Sequence, residues 1–306
     1  MNHRLLHLTI VAIALACLAP VDLPAQEGEL RYTITVTKFK NEANFGGRWD
    51  LGDGFTTIMT DVLNETGKFI VLGDTEMRGA ALVEQDFAAS GRTAGGKKAP
   101  KTGRMTPAQL LVRGSITHAQ ETGGGDGGIN FKGIRLGGSK ASAEVNITLY
   151  LVDSETGQVV ASKKVEGKSG KRGIGVGYYG SKLGGLTGGL DGFTSDNIGK
   201  ACEAAVSDGV KFLIEQLEKI PWEASVVLAK DDRVIINRGT REGVATGMQF
   251  KVGSVEELVD PDTGEVLDSE MTTVAELEAD EVKEKITYCK ILSGSGIEKG
   301  MTVFAK

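Results

Sequence analysis

The chain opens on a short basic segment, Met1 to Arg4, and then an almost continuous apolar run from Leu5 to Leu18. Charge, then a brief apolar stretch, then small residues predicts a signal peptide over residues 1–25. The run is shorter than the roughly 20 apolar residues a membrane-crossing helix needs, and no later stretch reaches that length. Leu23-Pro24-Ala25 ahead of Gln26 suits ordinary signal peptidase. Ala14-Leu15-Ala16-Cys17 offers a second reading, a lipobox in which Cys17 becomes the lipidated first residue, although Ala14 stands where leucine is usual.

Past this segment the pattern becomes mixed. Period-two alternation predicts a strand over Arg31 to Phe39. Phe55, Ile58, Met59, Val62 and Leu63 have helical spacing, and Gly67 marks the stop. A short strand, Phe69 to Leu72, and a second helix, Thr75 to Phe87, follow. Residues 90–106 are rich in glycine, lysine and proline and predict a loop ahead of a strand from Leu110 to Ala119.

A clean hairpin is predicted from Val145 to Val165, flanked by two glycine-rich stretches at 122–140 and 167–192. The longest helix is expected over 196–219, with Ile198, Cys202, Ala205, Val206, Phe212 and Leu213 on one stripe. Ile220-Pro221-Trp222 ends it, since proline resists continuing a helix. From Val226 onward, short strands alternate with turns, the spacing of a small barrel. Asp260-Pro261-Asp262-Thr263-Gly264-Glu265 echoes Asp153-Ser154-Glu155-Thr156-Gly157-Gln158, and both predict hairpin turns with glycine at positive φ. The expected fold is α+β: a mostly antiparallel sheet with packed helices and two Gly-rich hairpin stretches, then a small β-barrel. The domain limits are set at 26–221 and 222–306.

Composition narrows the chemistry. A net charge of −6 argues against nucleic acid, which needs a clustered basic face. Past the signal segment only Cys202, Cys289 and His118 remain as soft ligands, too few for a structural zinc site. The two cysteines fall in different predicted domains, which disfavours a disulfide. Gly175 to Gly180 spells GxGxxG, but a glycine-rich run rather than a helix follows it. Asp260 and Asp262 mimic the start of a calcium loop, yet glycine is fifth rather than sixth and Met271 holds the twelfth place. No catalytic arrangement emerges, so neither enzyme activity nor a cofactor is expected.

Several stretches taken together resemble the curli-channel (CsgG/HfaB) family. They are Ile34 to Phe39 with Asn41, Gly67 to Leu72, Leu111 to Ile116, Leu151 through Val159, and Ala204 to Leu213. The C-terminal stretches Val234 to Gly239, Gly243 to Gly247, Phe250 to Val252 and Gly300 to Val303 resemble the SH3-like C-terminal domain of the flagellar assembly protein FlgT.

The first resemblance implies a homo-oligomeric ring whose subunits each give two β-hairpins to a shared outer-membrane barrel. Here those would be 122–142 and 167–193, with Ile129, Phe131, Ile174, Val176 and Tyr178 facing lipid. Alternation in the first stretch changes phase at Lys132-Gly133, and in the second it lapses at Leu183. The alternative is a pair of surface loops. By position alone, Phe45 and Trp49 correspond to the family's constriction loop. The function implied is export or anchoring of surface proteins, curli-type, at the outer membrane of a Gram-negative envelope. A soluble periplasmic scaffold, whose β-module binds another envelope protein, is the second reading.

Overall fold

A computed structural model describes residues 30–46, 50–122, 129–131, 134–136, 142–169, 197–230 and 232–306. Strand β1 (Tyr32–Val36) is buried along its whole length, although only every second residue is apolar. The alternate threonines tolerate burial because their hydroxyls find partners. Thr33 Oγ1 donates to the Pro107 carbonyl at 3.0 Å and Thr35 Oγ1 to the Gly73 carbonyl at 2.7 Å. Such a strand belongs at a sheet centre.

Helix α1 (Leu51–Thr66) begins ahead of Gly54, where the apolar spacing places its start, because Asp50 caps it, accepting the Asp53 amide at 2.9 Å. Gly67 ends it in the left-handed region at φ 64°, donating its amide to the Asn64 carbonyl. The predicted face, with Phe55, Ile58, Met59 and Leu63, is the buried one.

The remaining elements of this half are β2 (Lys40–Asn41), β3 (Phe69–Val71), α2 (Thr75–Ala89), β4 (Leu110–Thr122), β5 (Ile129–Phe131), β6 (Ile134–Leu136), β7 (Ser142–Asp153), β8 (Val159–Lys168) and α3 (Asn197–Leu217). The sheet runs β3-β1-β4-β7-β8, with β2 pairing β4. Its β4-β7-β8 side is antiparallel as expected. Its β3-β1-β4 side is parallel, so the sheet is mixed rather than mostly antiparallel. The connections explain this, because α1 carries the chain from β1 to β3 and α2 stands between β3 and β4, and helical crossovers return strands in parallel.

α1 and α3 pack on the sheet, with α3 against β7, β8 and α1. Gly167 lies inside β8, where a side-chain carbon would sit 1.9 Å from the Ala201 carbonyl of α3. It therefore belongs to the packed core and does not open the second glycine-rich stretch. α2 departs from the expectation of packed helices. None of its residues is buried, and Met77 and Val83 are 61% and 68% exposed. The spacing puts Met77, Ala80, Ala81, Glu84 and Phe87 together on this helix, and a stripe with one carboxylate and two alanines offers little area to bury.

After Trp222 the chain forms β9 (Glu223–Lys230), β10 (Arg233–Ile236), β11 (Gln249–Val259), β12 (Val266–Val282), β13 (Thr287–Gly294) and β14 (Thr302–Ala305). They close into a barrel in the order β10-β13-β12-β11-β14-β9. Val234, Phe250, Leu277, Cys289 and Val303 fill it. Val266 to Val282 form one long strand where short ones were expected.

Cys202 and Cys289 are both buried and are not bonded to each other. Burial pushes the Cys289 thiol up to about 12, with Asp280 adding to the effect. Trp222 stacks on Phe250 with ring centres 5.7 Å apart. The Arg31 amide donates to the Glu242 carbonyl at 2.9 Å, and the Tyr32 hydroxyl donates to the Ile220 carbonyl. Burial raises that phenol to about 12.

Candidate functional site

The two glycine-rich stretches leave the sheet at one place. β4 and β7 stay paired to their ends, where Thr122 lies opposite Ser142. Next to them, β8 continues to Lys168, which pairs with Glu144. Ser169 donates its amide to the Ala143 carbonyl, and its Oγ accepts the Ala143 amide, both at 2.9 Å. The return point is tied in too, since Asn197 Nδ2, at the start of α3, donates to Glu121 Oε1 at 3.3 Å. Four stems, two per stretch, therefore share the same end of three hydrogen-bonded strands and the adjoining helix.

Within the first stretch, β5 and β6 form an antiparallel pair, with Ile129 opposite Leu136 and Phe131 opposite Ile134. The phase change at Lys132-Gly133 thus falls between two paired strands. Ile129 and Phe131 are in β5, whereas Ile174, Val176, Tyr178, Trp49 and Cys17 lie outside the described residues. Phe45 is half-buried against the core, and its carbonyl accepts Asn41 Nδ2 at 3.1 Å.

The sheet face away from α1 and α3 carries a shallow groove of ≈ 450 Å³, bordered by Lys40, Glu42, Arg113, Thr148, Tyr150 and Val159. Lys40 bonds Glu42 at 2.9 Å and holds that carboxyl below its usual range, with Ser115 assisting. The sequence offered a signal for this face in the polar positions Arg113, Ser115 and Thr117 alternating with buried ones along β4. Among the described residues, no helix is long and apolar enough to cross a membrane, and no group of His, Cys, Asp and Glu could hold a metal.

The family model for the curli production assembly/transport component CsgG matches residues 21–248. The chain belongs to that family. It is accordingly a component of the cell envelope of the Gram-negative type, in a family of assembly and transport proteins rather than enzymes. The CsgG match covers the whole helix–sheet layer and continues past Pro221 through β9 and β10, stopping just before β11.

Solved structures with some likeness include the hypothetical protein CT253 from Chlamydia trachomatis, at 12% identity and a TM-score of 0.36, over 62% of this chain and 99% of that one. The PelC dodecamer from Paraburkholderia phytofirmans aligns at 12% identity and a TM-score of 0.31, over 60% of this chain and 89% of that one. Lipoprotein GNA1162 from Neisseria meningitidis aligns at 16% identity and 0.25, over 54% and 99%. At these TM-scores none of the three supports a functional conclusion. No curated protein matches the chain in sequence.

Proposed function

We propose that this protein is an oligomeric outer-membrane component through which surface proteins are exported or anchored. The supporting observation is the shared exit of the four stems. A subunit that gives two hairpins to one barrel must deliver them side by side, and four stems gathered at one sheet end are what that requires. Inside lipid every backbone N–H and C=O needs a partner, so two hairpins with open edges require neighbouring copies to close the wall. Ile129, Phe131, Ile174, Val176 and Tyr178 are the positions assigned to lipid, and Phe45 and Trp49 to the inner opening. Transport is then diffusion through a pore, without cofactor or covalent chemistry. Cys17 is the candidate for acylation. We further divide the chain at Pro221, the C-terminal barrel being an SH3-like module of the FlgT type that binds an envelope protein.

Membrane partition of Val176→Asp and Ser181→Asp tests the channel. The first variant is expected to stay out of the outer membrane with its soluble core folded, and the second to insert normally. Equal partition of both with the unaltered protein would end the channel reading. Intact mass of the mature chain tests acylation, since an N-terminus at Gln26 without acyl mass refutes it.

A further inference from the structure

The hairpin β11–β12 is longer than the barrel that holds it. β11 pairs with β14 only as far as Gly253, and β12 pairs with β13 only from Ala275 onward. From Ser254 opposite Thr272 to Val259 opposite Val266, the two strands pair solely with each other. At about 3.3 Å per residue, this ribbon reaches roughly 20 Å beyond the barrel wall. A free two-stranded ribbon is marginal in water.

Its composition adds to the problem. Between residues 254 and 272 there are seven carboxylates and no basic residue. Glu256 stands directly opposite Glu270, an arrangement in which like charges destabilise the pair. Leu258, Val259, Val266 and Leu267, near the tip, are each at least 47% exposed.

The opposite pattern occurs next to α2. Residues 90–106, which follow α2, carry five basic residues and no acidic one. The helix they extend exposes Met77, Leu82, Val83 and Phe87. Among the described residues, none of the charges in either segment forms an ion pair within the chain, although nine ion pairs form elsewhere. One surface joins exposed apolar residues of α2 to a basic segment. The other joins an apolar tip to an acidic ribbon whose Glu265 accepts a hydrogen bond from Gln158 Nε2 at 3.5 Å but forms no ion pair among the described residues.

We propose that the acidic ribbon 254–272 of one copy docks on α2 and the basic segment 90–106 of a second copy. The contact joins two different surfaces head to tail, so repeating it generates a ring or an open chain. The cations of the second copy relieve the Glu256–Glu270 opposition, and the apolar tip covers the bare side of α2. The inference rests on the self-association proposed above but not on membrane insertion. It gives the C-terminal barrel, most of which lies beyond the family match, the task of holding neighbours together.

Two charge-reversed full-length proteins test it by analytical ultracentrifugation. The ribbon variant carries Glu256→Lys, Glu257→Lys, Asp268→Lys and Glu270→Lys, all at exposed positions. The loop variant carries Lys97→Glu, Lys98→Glu, Lys101→Glu and Arg104→Glu, also exposed. Each alone should self-associate roughly a hundredfold or more weakly than the unaltered protein, because like charges then meet. An equimolar mixture should recover association, since the lysine ribbon of one variant meets the glutamate loop of the other, and the unaltered acidic ribbon of the second meets the unaltered basic segment of the first. A strap within one chain cannot produce that recovery. Circular dichroism confirms that both variants are folded. Undiminished association of either variant alone, or a mixture that stays monomeric, overturns the interface. A monomeric unaltered protein overturns the self-association reading itself.

Discussion

The hairpins β7–β8 and β11–β12 turn in the same way and then meet different fates. In the first, Asp153 Oδ1 accepts the Glu155 and Thr156 amides at 2.9 and 2.8 Å, and Gly157 sits at φ 72°. In the second, Asp260 Oδ1 accepts the Asp262 and Thr263 amides at 2.7 and 3.1 Å, and Gly264 sits at φ 75°. Past the turns the likeness ends. β7 and β8 lie under α3, while the outer part of β11 and β12 stays largely exposed, touched at its turn by Gln158, whose Nε2 donates to Glu265 Oε1 at 3.5 Å. Six residues suffice to make a turn, but they say nothing about what will cover the strands it joins.

The largest expected contrast comes from adding bulk beside each hairpin. Gly167→Val forces side-chain atoms into the Ala201 carbonyl and should cost about 3 kcal/mol or more in a denaturant melt. Ser254→Val, on the exposed ribbon, should change stability by less than about 0.5 kcal/mol. Similar losses for the two would mean that the ribbon is as tightly held as the sheet.

A finer contrast comes from the paired turn aspartates. Asp153→Ala and Asp260→Ala each remove an acceptor serving two backbone amides, a loss of about 1–2 kcal/mol locally. In the first hairpin this should lower global stability, because opening the turn disturbs strands that belong to the core. In the second, the barrel should melt unchanged, and the loss should surface as faster hydrogen exchange at amides 254–272, since the ribbon opens locally. A lowered barrel melting temperature in Asp260→Ala would break the comparison.

The smallest effect lies under the first hairpin's cover. Burial raises the carboxyl of Glu203 on α3, only partly offset by Lys200. An acid raised on folding binds its proton more tightly in the folded state, so stability falls as pH climbs from the unfolded value to the folded one. Glu203→Gln should therefore be slightly more stable than the parent at neutral pH. That gain should vanish near pH 4. A gain that persists there would point to packing instead of charge.

The same division runs through what the sequence revealed. The turns, the stop at Gly67 and the helical stripes of α1 and α3 were legible because Gly67 and the Phe55–Leu63 spacing act over a few residues, whereas Asp50 was read as loop and its capping role was missed. The parallel half of the sheet was hidden, since β1 pairs with strands more than 30 residues away and its threonines imitate a half-exposed strand. α2 was recognised as a helix, yet its bare side depends on what its neighbours fail to cover. Gly167 looked like part of a flexible run because nothing local announces Ala201. At the candidate site, the glycine-rich stretches were legible by composition. Their common exit was not, because it depends on Thr122, Ser142, Ser169 and Asn197 being gathered by pairing across the sheet.

The bonds from Arg31 and Tyr32 to Glu242 and Ile220 have a mechanical consequence. They sit where the chain enters β1, so tension on the segment that precedes Arg31 arrives there before it reaches the sheet. Part of the load passes directly to the segment around Glu242, which β10 and the rest of the barrel hold in place. The remainder runs along β1, whose neighbours on both sides resist it in shear, the direction in which a strand is hardest to pull free. An envelope protein held by its N-terminal end would thus carry strain on both of its halves at once, and neither would have to unfold first.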